Sequence, residues 1–189
     1  MTRRLLTIAL AAVLGVGVMA GAATAQTLSQ DDRLALFKAA QREVLGYSQF
    51  GIFDSVHARV GDNGVVELTG KVTMPYKRTA LERRVARAAG IRSVVNRIEV
   101  LPVSQFDDRL RIQIARAIYG NPHFAGYGHR ANPPVHVIVE HGRVTLEGVV
   151  NSEVERALAR SIAGSFLSLG PIEIALKTNA EAREEMERI

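Results

Sequence analysis

Four of the five histidines, His123, His129, His136 and His141, fall within 19 residues. Imidazole binds zinc and copper well, so a metal site is the first chemistry the sequence raises. Their spacing matches no known metal motif, however, and no carboxylate shell accompanies them. His136 alternates with Val135 and Val137 along a strand, and His141 falls in a turn. No metal and no cofactor are expected. A nucleophile is no better served: Gly164-Ser-Phe-Leu-Ser168 departs from the Gly-x-Ser-x-Gly elbow, and the chain has no cysteine. Asp31-Asp32 and Asp107-Asp108 read as charges at helix starts rather than paired catalytic acids. The glycines Gly64/Gly70 and Gly142/Gly148 do not stand between a strand and a helix N-terminus, as a phosphate loop requires. The reading is of a protein with no catalytic residues and no small-molecule substrate.

What remains is surface chemistry of two kinds. A basic set, Lys77, Arg78, Arg83, Arg84 and Arg87, is opposed only by Glu82 and suits anionic headgroups or a solvated helix face. Further on, Ile112, Ala115 and Tyr119 form a second apolar row that runs into Phe124 and Tyr127, beside Arg111, Arg116 and Arg130. Aromatics flanked by arginines fit a membrane interface; packing between parts of the chain is the competing explanation. The candidate lipid-binding residues are therefore Arg111, Arg116, Tyr119, Phe124, Tyr127, Arg78, Arg84 and Arg87.

These groups must be positioned by elements, and the elements occur twice. Gly64-Val-Val-Glu-Leu-Thr-Gly70-Lys-Val72 returns as Gly142-Arg-Val-Thr-Leu-Glu-Gly148-Val-Val150, an offset of 78 residues. In each copy the valines and leucines alternate with polar residues, the pattern of a strand with one buried face. Asp-Asp-Arg-Leu, at Asp31 and again at Asp107, repeats at an offset of 76 residues. Agreement between independent motifs indicates tandem duplication.

Each copy reads as helix, strand, strand, helix, strand. In the first, Ser29 caps a helix with Leu34, Phe37, Gln41 and Val44-Leu45 on one face. A hairpin joins Val56–Val60 to Val65–Val72, a helix from Pro75 buries Leu81, Val85 and Ala88-Ala89, and Val94–Val100 closes the unit. In the second, Leu110, Ile114, Ala117 and Ile118 share a helix face, Val135–Val139 begins the hairpin, and Ser152-Glu-Val-Glu155 is a capping box. Val154, Leu158 and Ile162 then follow, and Ile172–Leu176 is the last strand. The predicted fold class is α+β: two tandem small α/β sandwiches, each with two helices on a three-stranded mixed sheet. The units span residues 31–102 and 107–178. A short link with Pro102 limits their freedom, and a charged tail, residues 179–189, forms a solvated helix or frayed end.

Composition fixes the setting. Arg3-Arg4, the apolar run Leu5–Ala20 and Ala23-Thr-Ala25 have the order of a secretory signal, residues 1–25, cut after Ala25. Cleavage leaves 22 basic and 19 acidic side chains, a net of +3, too near neutrality for the concentrated basic stripe of a nucleic-acid binder. The first unit carries +4 and the second +1. A soluble periplasmic protein is expected.

Asp-Asp-Arg-Leu at the first helix, Gly-x-Val-x-Leu-x-Gly in the hairpin and Val94-Val-Asn96-Arg-Ile at the last strand together resemble the BON domain family. The second copy departs from this pattern at the approach to its last strand, Leu169-Gly-Pro-Ile172, and in its enlarged loop Gly120–Pro134. The resemblance implies a non-enzymatic periplasmic envelope protein associated with phospholipid binding, osmotic stress and envelope maintenance. Its implied partner is an anionic phospholipid surface. Other envelope proteins, or a second copy, are the alternative partners, without lipid binding.

Overall fold

The computed structural model describes residues 28–188; the predicted signal segment lies outside the described residues. The first unit runs α1 (Gln30–Leu45), β1 (Ser55–Val60), β2 (Val65–Val72), α2 (Pro75–Val85) and β3 (Ser93–Val100). The second runs α3 (Gln105–Tyr119), a short α4 (Ala125–Gly128), β4 (Val135–Glu140), β5 (Arg143–Val150), α5 (Glu153–Gly164) and β6 (Glu173–Thr178), and α6 (Asn179–Glu187) follows. Each copy holds a mixed three-stranded sheet. β1 is antiparallel and β3 parallel to the central β2, and β4, β5 and β6 repeat the arrangement.

The period-two pattern decides which face is buried. Val66, Leu68 and Val72 point inward with Leu81, Val85 and Ile98, while Val144, Leu146 and Val150 meet Ile114, Ile118, Ala159 and Leu176. Full burial of one such side chain contributes about 1.5–3 kcal/mol, so these two clusters hold the helices to their sheets. In α1 the buried stripe is Leu36, Ala40 and Val44, one step round from the predicted Leu34/Gln41 face. Ala40, fully buried, has no bulk to keep the helix off its neighbours. In α5 the buried positions are Ala159 and Ala163, while Val154 is exposed. α2 ends at Val85, leaving Ala89 exposed.

The second glycine of each repeated motif has a steric cause. Gly70 and Gly148 sit at φ +114° and +116°, and a Cβ there would lie 2.2 Å from Ser55 O and 1.9 Å from Pro134 O. Only glycine lets the hairpin partner approach so closely.

Pairing register also resolves the departure in the second copy. Leu68 lies opposite Asn96, and Leu146 lies opposite Ile174, so Ile174 holds the place of Asn96. The Asn96 amide donates to Arg78 O at 3.1 Å and to Glu82 at 2.8 Å, and its carbonyl accepts from Ile98 N at 3.1 Å. Ile174 instead packs against the apolar cluster. Ser152 caps α5, but the Glu155 carboxylate turns to Asn151 N at 2.8 Å instead of closing a capping box; the complete box belongs to Thr178 and Glu181 on α6.

Candidate functional site

The aromatic set of the second copy is structural. Phe124 is fully buried and Tyr127 nearly so. The Tyr127 hydroxyl donates to Glu155 at 2.6 Å and accepts from Asn151 N at 3.0 Å. The Tyr119 hydroxyl donates to Val135 O and accepts from Val135 N at 3.2 Å. Burial pushes both phenols up to about 12. The enlarged loop is thereby fastened to the start of β4 and of α5. The hydroxyl partners of these rings lie within the second copy, and Ile52 and Phe53 of the first copy pack against the same apolar cluster.

Arg111 is corrected in the same way. It is 4% exposed, with Nε donating to Asp107 O at 3.3 Å, one amino group donating to Val139 O at 3.1 Å and the other 3.4 Å from Asp108. A guanidinium held by three groups beneath the surface cannot reach a headgroup. Asp107 is more than a helix-start charge: buried at 1% exposure, its carboxylate accepts from His141 N at 3.0 Å and Gly142 N at 2.7 Å. These two residues, at φ +50° and +72°, are the turn of the β4–β5 hairpin, so the carboxylate satisfies donors that the turn would otherwise leave buried.

The basic set of α2 and the turn after it divides. Lys77 is buried against Asp54 at 2.7 Å, and Asp54, with no exposed surface, also accepts from Gly51 N, Thr73 N and Thr73 Oγ1. Arg84 reaches back to Glu43 at 3.2 Å and lies 5.8 Å from the centre of the Tyr47 ring. Arg78 and Arg87 are exposed and, among the described residues, have no side-chain partner; Arg83 bonds only Thr79 O in its own helix. Met74 and Tyr76, 49% and 54% exposed, stand at the start of the same helix. Arg116 is exposed on α3 without a side-chain partner among the described residues. Sequence reasoning missed Asp54, Lys77 and Thr73 as a network, since residues 23 apart show no spacing. Comparing copies is the signal: Lys77 aligns with Glu155, an ionic group at the third position of the second helix in both.

A third grouping lies between the copies. His57 Nε2 is 2.9 Å from Glu147 Oε2, and the Ser55 hydroxyl donates to the same carboxylate oxygen. A serine, a histidine and an acid side by side resemble a hydrolytic triad, yet serine and acid both address one ring nitrogen. A relay needs the two ring nitrogens used separately. The remaining histidines do not converge, and among the described residues no three potential ligands form a metal-holding group.

Comparison with known proteins bears on this arrangement. No curated protein matches the chain. Among solved structures it is similar to the C-terminal domain of CdsD, the structural protein of the type III secretion system of Chlamydia trachomatis, at 16% identity over 79% of this chain and 67% of that one, TM-score 0.32. A second CdsD structure matches at 13% identity over 81% of this chain and 97% of that one, TM-score 0.29. So loose a superposition carries no functional meaning for this chain. No helix of the described residues is long and apolar enough to cross a membrane. The BON domain family matches residues 52–102 and 107–170, one match on each copy and more than half the chain together, and this protein belongs to the BON domain family.

Proposed function

We propose that this is a non-enzymatic periplasmic protein of envelope maintenance under stress, which docks reversibly on anionic phospholipid through α2 of its first copy. Membership of the BON domain family supports an envelope role. The observation that carries the reading is the exposure of Met74 and Tyr76 together with that of Arg78, Arg83 and Arg87 on and just after one helix. An aromatic ring sits well at headgroup depth, and each nearby cation adds roughly 1 kcal/mol at a charged surface. Arg116 on α3, with Phe106 and Ile112 exposed at 42% and 38% on the same helix, is the secondary surface.

Sedimentation of the chain with phosphatidylglycerol vesicles is expected at low salt, weakening as salt screens the charges, with little binding to phosphatidylcholine. Arg78→Glu with Arg87→Glu removes two cations and adds two repulsions, a loss of roughly tenfold or more. Undiminished binding of that variant, or none by the parent protein at low salt, overturns the reading. Self-association in light scattering without vesicle binding supports the protein–protein alternative, for which Leu167 and Leu169, 83% and 68% exposed, are the apolar sites.

A further inference from the structure

The copies meet across the open faces of their sheets, and the chemistry there differs from that inside either unit. Ser55 and His57 of β1 reach Glu147 on β5, and Lys71 of β2 pairs with Glu140 at the end of β4. On β4, directly opposite Glu147 in the strand register, stands His136. Its ring lies 5.6 Å from that of Phe50 in the first copy, and its buried Nδ1 has no hydrogen-bond partner among the described residues. Glu147 therefore stands between two imidazoles, one from each copy. Beside them a single backbone bond crosses the boundary, from Val137 N to Ile52 O at 2.8 Å.

We propose that this junction is a proton-operated clasp between the two copies, tightest near pH 6.5 and loosened on either side, with His57 acting on the alkaline arm and His136 on the acid arm.

The groups facing His57 decide the first arm. Glu147 comes from β5; Lys177 on β6 opposes the imidazolium, and Glu185 on α6, paired with Lys177, offsets it. Arg59 follows on the same strand. On β2, Thr69 lies opposite, flanked by Glu67, itself paired with Arg97, and by Lys71, paired with Glu140. Glu147 is the acid in hydrogen-bond contact. That bond holds the imidazole above its ordinary 6.5 and the carboxyl below its ordinary 4.5. A group raised on closure contributes in full below its ordinary value and loses the contribution as pH rises through the raised one. The alkaline loosening therefore begins near 6.5 and belongs to His57.

His136 behaves oppositely. Burial, with Phe50 against its ring, holds its pKa below 6.5, outweighing the Gly51 and Asp54 backbone and the Glu147 and Asp54 charges, which act to raise it. Its contribution is complete above 6.5 and is lost as pH falls, because the open form takes up the proton first. The two arms run in opposite directions from 6.5. Glu147 adds a further loss only below its ordinary 4.5. Lys71, Glu140 and Glu147 of the junction also line a groove of about 650 Å³, together with Arg143 and Glu173.

Amide exchange at Val137 in the full chain reads the boundary directly, once corrected for base catalysis of exchange itself. Protection is expected to peak near pH 6.5 and fall by roughly threefold by pH 8, the scale of a half-exposed ion pair, and to fall again by pH 5.5. His57→Gln should abolish the alkaline arm alone, and His136→Gln the acid arm alone. In the unaltered chain the His57 ring should titrate above its ordinary value by NMR, and in Glu147→Gln lower than in the unaltered chain, since burial and Lys177 remain to hold it down. Ordinary titration of His57 in the unaltered chain sinks the proposal, as does pH-independent protection. Parallel loss at the core amide of Leu146 also sinks it, because the opening is then global unfolding.

Discussion

Tyr119 and Tyr127 fasten the enlarged loop of the second copy because each hydroxyl both donates and accepts, satisfying groups that a purely apolar ring would leave stranded. The same task is done in the first copy by ions, with Lys77 and Asp54 tying the segment before β1 to α2. The phenols bring a pH dependence on the alkaline side. Both hydroxyls are pushed up to about 12 against an ordinary value near 10. The folded chain resists ionisation that the unfolded chain accepts, so the contribution is whole below pH 10 and is lost as pH rises toward 12. Urea unfolding at pH 9 and at pH 11.5 should show the second copy losing stability on the order of 2 kcal/mol per phenol. Tyr127→Phe should remove about half of that slope.

At the scale of the element, the hairpin with its two glycines is the most exacting part of each copy. Replacing Gly148 by alanine forces a Cβ into Pro134 O and keeps a φ of +116° that alanine tolerates poorly. A loss of about 2–4 kcal/mol is expected, combining the strain of a sparsely populated backbone region with displaced pairing. Gly126→Ala, where a Cβ meets nothing within 4 Å, should change the thermal midpoint hardly at all. The hairpins and their buried faces were legible in the sequence because period two and a repeated glycine are local signals. So was the mixed order of elements, fixed by the duplication. The destination of a polar side chain was not: Arg111 and Lys77 look like surface cations until the fold brings Val139 O and Asp54 against them. Tyr127 likewise looks interfacial until Glu155, 28 residues later, is seen to accept its hydrogen bond. These partners are set by tertiary proximity, which no spacing along the chain encodes.

For the molecule as a whole, the decisive element is the segment between α1 and β1, which belongs to the first copy and finishes the core of the second. Ile52 and Phe53 pack against the apolar cluster of the second copy, and the Ile52 carbonyl accepts from the edge of β4. Asn132 returns the contact by donating to Leu45 O at 3.1 Å. Units of this size bury too little to be strongly stable alone, and a shared cluster couples their unfolding. Phe53→Ala therefore acts at a distance in sequence. It should cost about 1–2 kcal/mol, below the 3–5 of a fully buried phenylalanine because Phe53 is half-buried, and the cost should appear in the second copy. Monitored by NMR, the Leu146 and Val144 resonances should melt earlier in the variant, in step with Val66 and Leu68 of the first copy. Melting of the first copy alone would show the two sandwiches to be thermodynamically independent, and the segment between α1 and β1 to be a contact without coupling.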